Sequence, residues 1–381
     1  MTQLLGPLPP PSPIQAPERC PYCNSPKLRP KRQRIKKLET VKQHRCESCG
    51  RTSLPGPRAL RNKTYPIHEI LEGISLYNQG YTLEQAAKMI SSRHGHPVNP
   101  STISRWLAQH PALTTYRRLR DIGRKRFHPS NVIPTTKLYH AQVYEYSWHR
   151  AKLDALRDGS LDPSRSRTQT KFANVADFLE SIPRTCPHGL FRREDGTRGS
   201  RLPSTFINLD SLIVTERRNT ATDTAALIIP SVGSNHQRHT RLQRFLLTND
   251  ACTLAVEVPI WLDEAAISAL EAEHSITLVA KQPADSADPG GAHKPRHLTG
   301  HIDFLQIRHG ALHLLDYKPD ARTNRPVAQL TGYALALTWL VPGLSLFDIK
   351  CAWFNEAVYN EFFPRKALRG VRTRTCATVN A

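Results

Sequence analysis

Residues 298–339 constrain the fold more than any other stretch of the chain. They read LTGHIDFLQIRHGALHLLDYKPDARTNRPVAQLTGYALALTW, and the alternating apolar and polar side chains from Gly300 to Ile307 predict a strand. His309-Gly310 supplies a turn, and Ala311–Lys318 predicts a second strand paired with the first. After Pro326 the apolar spacing becomes helical. The stretch therefore predicts a β-hairpin followed by a helix.

Three charged side chains come together on this predicted hairpin. With the two-residue period of a strand, Asp316 and Lys318 point to one face, and Asp303 on the neighbouring strand can project beside them. Two carboxylates and an ammonium group are costly to bury together unless a divalent cation and a phosphate lie between them. The alternative is an exposed hairpin whose charges are solvated. On the following helix, Gln329 and Tyr333 are one turn apart on one face.

The order and spacing of these residues resemble the RecB-like branch of the PD-(D/E)XK nucleases. The resemblance rests on Gly300-His301-Ile302-Asp303, Asp316-Tyr317-Lys318 and Gln329-x-x-x-Tyr333, and it covers roughly residues 205–364. It implies an α/β fold, a restriction-endonuclease-like mixed sheet flanked by helices. It also implies that Asp303, Asp316 and the Tyr317 carbonyl bind Mg²⁺ or Mn²⁺, that Lys318 assists catalysis, and that Gln329 and Tyr333 position the substrate or brace the site.

In this family, an acidic residue or a histidine before the Gly-x-x-Asp strand completes the metal site. The run TLAVEVPIW predicts a strand in which Glu257 lies on the face opposite its two valine neighbours. A carboxylate in such an apolar strand is costly unless it lies at an edge or binds a metal ion. We therefore predict Glu257 as the third acidic ligand, with His236 and His239 as alternatives.

Two Cys-x-x-Cys turns form a second motif, Cys20-Pro-Tyr-Cys23 and Cys46-Glu-Ser-Cys49. Two such turns present four thiolates to one ion, and a Cys₄ set leaves no open coordination position, so the predicted Zn²⁺ is structural. The alternative, two redox-active pairs, is disfavoured because neither pair opens a helix in a βαβ unit. Residues 18–55 resemble the zinc ribbons that open some transposases. Lys31 and Arg32, in the basic loop between the pairs, are candidate DNA contacts.

Residues 64–127 predict a small all-α domain. Apolar spacing predicts a helix over Pro66–Asn78, and Thr82 with Gln85 forms a capping box at the start of a second helix. A third helix opens near Asn99. The arrangement resembles the helix-turn-helix of transposases and related regulators, although the connection after His94 is longer than a minimal turn. A small helical bundle that does not contact DNA is the alternative.

The third helix would read DNA in this interpretation. Its apolar side chains Ile103, Trp106 and Leu107 would pack inward. The opposite face would enter the major groove, with four candidate DNA-binding residues: Ser101, Thr102, Ser104 and Arg105.

Composition favours a polyanionic partner. Lys and Arg outnumber Asp and Glu by 53 to 32, for a formal charge of +21. An acidic membrane surface would be the competing partner, but no segment is long and apolar enough to span a bilayer. Residues 1–17 predict a disordered Pro-rich leader without the basic start of a signal peptide, and residues 365–381 form a basic tail. We expect a cytoplasmic, nucleoid-associated protein.

The region from 128 to 204 is less informative and predicts helices and linker. Tyr139–Arg157 predicts an aromatic-rich helix, and Phe206–Leu209 and Leu212–Val214 are strand candidates just after the region. Cys186 and His188 lack a paired ligand at metal-binding spacing, so we interpret them as ordinary residues.

The sequence as a whole predicts a divalent-metal-dependent nuclease that hydrolyses DNA phosphodiesters and is targeted by its N-terminal domains. A link to a mobile element or DNA processing follows, with a second copy of the chain or a mobile-element protein as partner. Two alternatives remain: a DNA-binding regulator whose nuclease site is inactive, and an RNase-H-like transposase whose carboxylate set could begin at Asp210.

Overall fold

The computed structural model describes residue 17 and residues 19–56, 64–113, 117–160, 171–193, 196–210, 212–229, 235–280 and 295–369. Residues 1–16 of the predicted leader and most of the predicted basic tail lie outside the described residues. The chain divides into two compact units. The first comprises residues 1–134, 149–152 and 219–251, and the second comprises residues 135–148, 153–218 and 252–381.

The described strands and helices are numbered here in chain order. The strands are β1 (Leu28–Ile35), β2 (Thr40–Cys46), β3 (Thr52–Ser53), β4 (Thr135–Tyr139), β5 (Val143–Trp148), β6 (Thr197–Arg198), β7 (Thr215–Glu216), β8 (Thr253–Leu262), β9 (Leu298–Arg308), β10 (Ala311–Tyr317), β11 (Ile349–Phe354) and β12 (Tyr359–Phe362). The α-helices are α1 (Ile67–Gln79), α2 (Leu83–His94), α3 (Pro100–Gln109), α4 (Arg117–Arg126), α5 (Arg150–Arg157), α6 (Ala173–Thr185), α7 (His188–Arg192), α8 (Thr220–Ile228), α9 (Asn235–Asn249), α10 (Glu264–His274), α11 (Val327–Leu340) and α12 (Pro364–Ala367).

In the first unit, the N-terminal helices form where local signals predict them. Helix α1 ends at Gly80, which has the left-handed conformation (φ 117°) that glycine adopts without a steric penalty. The predicted capping box of α2 is confirmed, since the Thr82 hydroxyl accepts from the Gln85 N–H and the Gln85 side chain accepts from the Thr82 N–H. Each signal involves residues that are close together in the chain, so the sequence alone predicts both helix ends.

Helices α8 and α9 belong to the first unit, so the predicted C-terminal domain over residues 205–364 has the wrong boundaries. Helix α9 packs against α1 through a buried amide pair. The Asn78 side-chain amide donates to Asn249 Oδ1 (2.7 Å), and the Asn249 amide donates to Ser75 Oγ (3.0 Å). These partners are more than 170 positions apart in sequence, and no local pattern reports such a contact.

The second unit is built on a mixed sheet flanked by helices. Its strand order is β4-β5-β8-β9-β10-β11-β12-β7, and the short β6 pairs with β9 beyond the end of β10. The β10–β11 and β6–β9 pairs are parallel and the others are antiparallel. Helix α11 packs on β8, β10 and β11, and most of its side chains are buried. The mixed α/β class that the sequence predicted is therefore present.

The helix predicted over Tyr139–Arg157 is wrong in its first half. Residues of this stretch complete β4 and form β5, and only α5 is helical. Tyr144, Tyr146 and Trp148 alternate with polar or small residues, and the period of two places Tyr146 and Trp148 in the core. The segment predicted as a helical linker therefore contributes two strands to the main sheet.

The strands predicted over residues 206–214 are also wrong. Ser204–Phe206 is a short 3₁₀ helix, and Ile207 makes a single β-bridge with Leu368. The next strand along the described residues is β7, which pairs with β12. Phe206 and Ile207 are buried without forming a ladder, whereas Leu209 and Ile213 are exposed. A short apolar run therefore does not by itself specify strand pairing. Within the described part of the chain, no helix combines the length and apolarity that crossing a bilayer requires.

Candidate functional site

The two aspartates of the predicted site lie opposite each other at the end of the β9–β10 ladder. The last paired residues are Phe304 and Leu315, so the register places Asp303 opposite Asp316 at the next position. At this position, Asp303 Oδ2 accepts the hydrogen bond of the Tyr317 backbone N–H at 3.0 Å, where a continuing ladder would use a backbone carbonyl of β9. The backbone ladder between the two strands therefore ends beside the two carboxyl groups.

Asp316 is buried, and Lys318 lies beside it. Asp316 is 3 % exposed, and Lys318 Nζ lies 2.9 Å from its Oδ2. Burial, and then the neighbouring Asp303 carboxylate, raise the pKa of Asp316 well above its usual value, although Lys318 opposes the shift. Burial is the largest single influence and lowers the pKa of Lys318, but the neighbouring Asp316, Asp303 and Asp320 carboxylates together raise it, so the net shift is upward. One ammonium group thus faces two carboxyl groups.

Glu257 adds a third acid to the same cross-strand row. Val256 pairs with Phe304 and Val258 with Ile302, which places Glu257 opposite Asp303. A carboxylate oxygen of Glu257 lies within 4.8 Å of one of Asp303. The row Glu257–Asp303–Asp316 therefore crosses three adjacent strands, β8, β9 and β10.

The backbone of Glu257 is strained. Its φ is +52°, in the left-handed region that non-glycine residues rarely adopt inside a strand. The β5–β8 pairing also ends at Val256, immediately before this residue. The turned backbone aims the side chain at Asp303. Such strain persists where the surrounding structure over-determines a functional geometry. The alternatives His236 and His239 lie on α9 of the first unit.

Tyr333 supports the strand that carries Asp303. Its side chain is buried, and Gln329 Nε2 donates to Tyr333 Oη at 3.3 Å, so the two predicted helix residues do meet. The ring lies against two glycines: a Cβ on Gly300 would come within 2.4 Å of Tyr333 Cε1, and one on Gly199 within 2.1 Å. Gly300 is therefore required for close approach, which explains why Gly-x-x-Asp and Gln-x-x-x-Tyr occur together here.

Three further residues border the acidic row and were missed in the sequence. Tyr144 lies close to Glu257 and Asp303; burial raises its pKa, and both carboxylates add to the shift. Its ring stacks on His301 at 3.6 Å, and burial lowers the pKa of His301 to about 3, so this histidine is neutral. The exposed Arg198 adds positive charge near both rings. The alternating aromatics of β5 were the signal that could have found Tyr144.

The N-terminal cysteines converge as predicted. Cys20 Sγ lies 3.7 Å from Cys49 Sγ, and Cys23 Sγ lies 3.5 Å from Cys46 Sγ. Tetrahedral Zn²⁺ with Zn–S bonds of about 2.3 Å separates its sulfur ligands by about 3.8 Å. The four side chains form one group of ligand atoms, and the first unit can therefore bind a metal such as zinc through thiolates.

Cys46→Ser is expected to lower the zinc content of the purified full-length chain by one equivalent. Much of the folding free energy of such a small region comes from the metal, so the hairpin of β1 and β2 should unfold while the second unit keeps its melting transition. Elemental analysis and circular dichroism measure the two effects. Cys252→Ser, outside every group of ligands among the described residues, is the matched control. Undiminished zinc in the Cys46 variant would contradict the assignment.

The remaining predicted residues lie on α3 and β1. On α3, Ile103 and Trp106 are buried, whereas Leu107 is only half-buried. Three of the four candidate DNA contacts on this helix are exposed: Ser101, Ser104 and Arg105. The fourth, Thr102, is half-buried. Lys31 and Arg32 are exposed on β1, at an irregularity in its pairing with β2.

The long connection after α2 is held by histidine–glutamate contacts. His94 Nε2 lies 2.9 Å from Glu72 Oε2, and His96 Nε2 lies 2.8 Å from Glu69 Oε2. The extra length thus packs back on α1.

Asp210, the residue that could begin an RNase-H-like set, lies in an exposed turn. No group of metal-ligating side chains among the described residues includes it.

A scan of the chain against protein-family models found no match, and searches of curated proteins and of solved structures found none. The functional interpretation therefore depends on the residues and their geometry.

Proposed function

We propose that this chain is a DNA-binding nuclease that hydrolyses phosphodiester bonds with Mg²⁺ or Mn²⁺. The observation that carries the proposal is the row of Glu257, Asp303 and Asp316 on three adjacent strands, with Lys318 beside it. The mixed sheet, with this row near its centre and α11 across it, agrees with the restriction-endonuclease-like fold that the resemblance implies.

The side chains in the row fit a divalent cation. Three carboxyl groups and one ammonium group leave the row with excess negative charge, and Asp316 is almost fully buried. Burial raises the pKa of Asp316, the neighbouring Asp303 carboxylate adds to the rise, and Lys318 offsets only part of it, so a bound cation would favour the charged carboxylates. Carboxylate oxygens are the ligands that Mg²⁺ and Mn²⁺ prefer. Glu257, Asp303 and Asp316 would hold the ion, which, when bound, lowers the pKa of a water molecule and neutralises charge on the scissile phosphate.

The protein side chains would then have separate tasks. Lys318, anchored by Asp316, is placed to orient the attacking water and to stabilise negative charge that develops on the phosphate. Tyr333 and Gln329 brace Gly300 and, through the strand, Asp303. Arg198, exposed near Tyr144, supplies a cation for a phosphate of the substrate.

The N-terminal half would select the DNA. In this proposal, residues 18–55 are a zinc ribbon, and α2 and α3 form a helix-turn-helix whose exposed face reads the major groove. Lys31 and Arg32 would contact phosphates, which position a protein on DNA without reading sequence. The division places binding and chemistry on separate parts of the chain, as expected for an enzyme of a mobile element.

Arg105→Ala is expected to weaken binding to preferred duplex sequences by roughly tenfold or more, and to random duplexes far less. The side chain is exposed on α3, where it would contact base edges. Fluorescence anisotropy with the full-length chain at several salt concentrations measures both affinities. Arg184→Ala, an equal loss of charge on the exposed surface of α6, is the control. If Arg105→Ala instead lowers the affinity for all DNA sequences equally, Arg105 contacts phosphates and does not read base edges.

The test of the proposed function is cleavage of supercoiled plasmid DNA by the purified full-length chain. Mg²⁺ or Mn²⁺ should produce nicked or linear DNA, and a chelator should abolish the reaction. DNA that stays intact with either metal, at protein concentrations that bind it, would contradict the proposal.

A further inference from the structure

A second group of metal-ligating side chains lies in the other compact unit, apart from the cysteine cluster. His140 lies in the turn between β4 and β5, Cys186 directly follows α6, and His188 is the first residue of α7. One ligand atom from each side chain lies within 4.8 Å of the other two. No sequence motif connects the three residues, because His140 is 46 positions from Cys186.

The three atoms converge as the ligands of one tetrahedral ion do. His140 Nε2 lies 3.1 Å from His188 Nδ1 and 3.7 Å from Cys186 Sγ. A zinc ion with bonds of about 2.0–2.1 Å to nitrogen and about 2.3 Å to sulfur would separate these pairs by about 3.3 and 3.6 Å. A single proton on His140 Nε2 could serve only one of the two contacts as a hydrogen bond, whereas a metal ion between the three atoms accounts for both.

The backbone fixes the two ligands that are close in sequence. Pro187 separates Cys186 from His188, and the His188 N–H donates to the Cys186 carbonyl at 2.9 Å. This tight turn presents both side chains to one point. The His140 ring is held in turn by stacking on Phe191, with ring centroids 3.8 Å apart and planes inclined by 12°. The three ligands are therefore pre-positioned.

His140 also has the outer partner that metal-bound histidines usually have. Its second ring nitrogen, Nδ1, lies 2.8 Å from His301 Nε2. A histidine that ligates through one nitrogen commonly donates the N–H of the other to a nearby acceptor, which fixes its tautomer and orientation. Here His301 Nε2 is that partner, and the His301 ring is itself held by stacking on Tyr144.

We propose that His140, Cys186 and His188 form a second zinc site, with His301 as the acceptor that orients His140. Three protein ligands leave the fourth tetrahedral position for a water molecule. The ion would tie the β4–β5 turn to the α6–α7 connection, next to the strand that carries His301 and Asp303. The inference does not depend on the proposed nuclease activity, because metal binding here needs only these side chains.

The test is the zinc stoichiometry of the full-length chain, saturated with zinc and then freed of loosely bound metal. The parent should retain two zinc ions per chain, and the double variant Cys20→Ser/Cys46→Ser one. Cys186→Ser should also retain one, held by the N-terminal cysteines. Cys252→Ser removes a thiol outside both groups and should retain two. Because Cys186 is buried and its loss could disturb folding, His188→Asn on the half-buried α7 provides a second variant that should also retain one.

Cobalt gives a direct readout of the thiolate ligand. In Cys20→Ser/Cys46→Ser, bound Co²⁺ should show thiolate-to-metal charge-transfer absorption, and adding Cys186→Ser should remove it. Two results would overturn the proposal: zinc content unchanged in both Cys186→Ser and His188→Asn, or the absence of bound metal in a folded Cys20→Ser/Cys46→Ser chain. Neither result requires DNA cleavage, so this proposal and the nuclease assignment can fail separately.

Discussion

Asp316→Asn is expected to reduce Mg²⁺-dependent DNA cleavage by about 10²–10³-fold or more, with DNA affinity nearly unchanged. The substitution keeps the size of the side chain but removes the charge that, in this proposal, holds the ion and anchors Lys318. Asp303→Asn should have the same effect, since its carboxylate lies opposite Asp316 in the row. Initial rates on plasmid DNA and anisotropy with a labelled duplex measure the two properties.

The control for this experiment is Asp177→Asn, which removes a carboxylate that is exposed on α6 and paired with Arg157. It should cleave at the parent rate. Raising the Mn²⁺ concentration should restore part of the activity of Asp316→Asn, because the remaining carboxylates still offer a weakened site. An Asp316→Asn protein that cleaves like the parent would remove Asp316 from the site.

The same substitution should stabilise the metal-free protein at neutral pH. The pKa of Asp316 is raised in the folded state, so the stability that its protonated form contributes is present below the unfolded pKa of about 3.9 and is lost as pH rises through the folded pKa. Asparagine mimics the protonated form at every pH. Thermal melts should therefore show a higher melting temperature for Asp316→Asn without metal, and a smaller gain on adding Mg²⁺ than the parent shows.

Gly300→Ala is expected to destabilise the second unit by about 1–3 kcal/mol and to impair cleavage. The added methyl group would lie 2.4 Å from Tyr333 Cε1 and 2.7 Å from Tyr333 Oη, and the buried ring cannot move away without disturbing α11. Displacing the ring or the strand would also shift Asp303, three residues along β9. Thermal melts and cleavage rates measure the effect.

Two controls separate the collision from a general effect of alanine. Gly189→Ala places a methyl group where no atom lies within 4 Å and should melt like the parent. Tyr333→Leu removes the atoms that the new methyl group would meet, so Gly300→Ala should cost much less stability in that background than in the parent. Equal costs in the two backgrounds would show that Tyr333 is not the reason for glycine at this position.

Much of the local structure could be predicted because its causes are local. The turn at His309-Gly310 joins β9 to β10, and the capping box begins α2. Asp303 and Asp316 could be brought together from the strand period and the short turn alone, since a tight hairpin sets its own register. The paired cysteines could be grouped because each Cys-x-x-Cys turn already carries two ligands.

The rest depends on contacts between distant parts of the chain. The left-handed backbone of Glu257 occurs where the pairing of β5 with β8 ends, and no residue near Glu257 in the sequence predicts that end. Cys186 and His188 are two of the three ligands of the proposed second zinc site, and the third, His140, lies in the distant β4–β5 turn. The aromatic stretch predicted as one helix contains β5, with its period-two aromatics, and then α5, and only the second part is helical.

The assignment of α8 and α9 failed for a related reason. Apolar spacing predicts that a helix buries one face but does not say against which unit, and the deciding contacts of Asn249 with Asn78 and Ser75 are polar. The resemblance implied one C-terminal domain over residues 205–364, whereas the sheet also takes β4 and β5, at one end of its strand order, from residues 135–148.

The most direct test of the nuclease assignment compares Lys318→Ala and Asp210→Ala in one DNA-cleavage assay with saturating Mg²⁺. Lys318→Ala leaves all three carboxylates in place but removes the cation beside Asp316, so cleavage should fall by about 10²–10³-fold and excess metal should not restore it. Asp210→Ala alters only an exposed turn and should cleave like the parent. Parent-like cleavage by Lys318→Ala together with an inactive, folded Asp210→Ala would contradict the nuclease site and favour an RNase-H-like one.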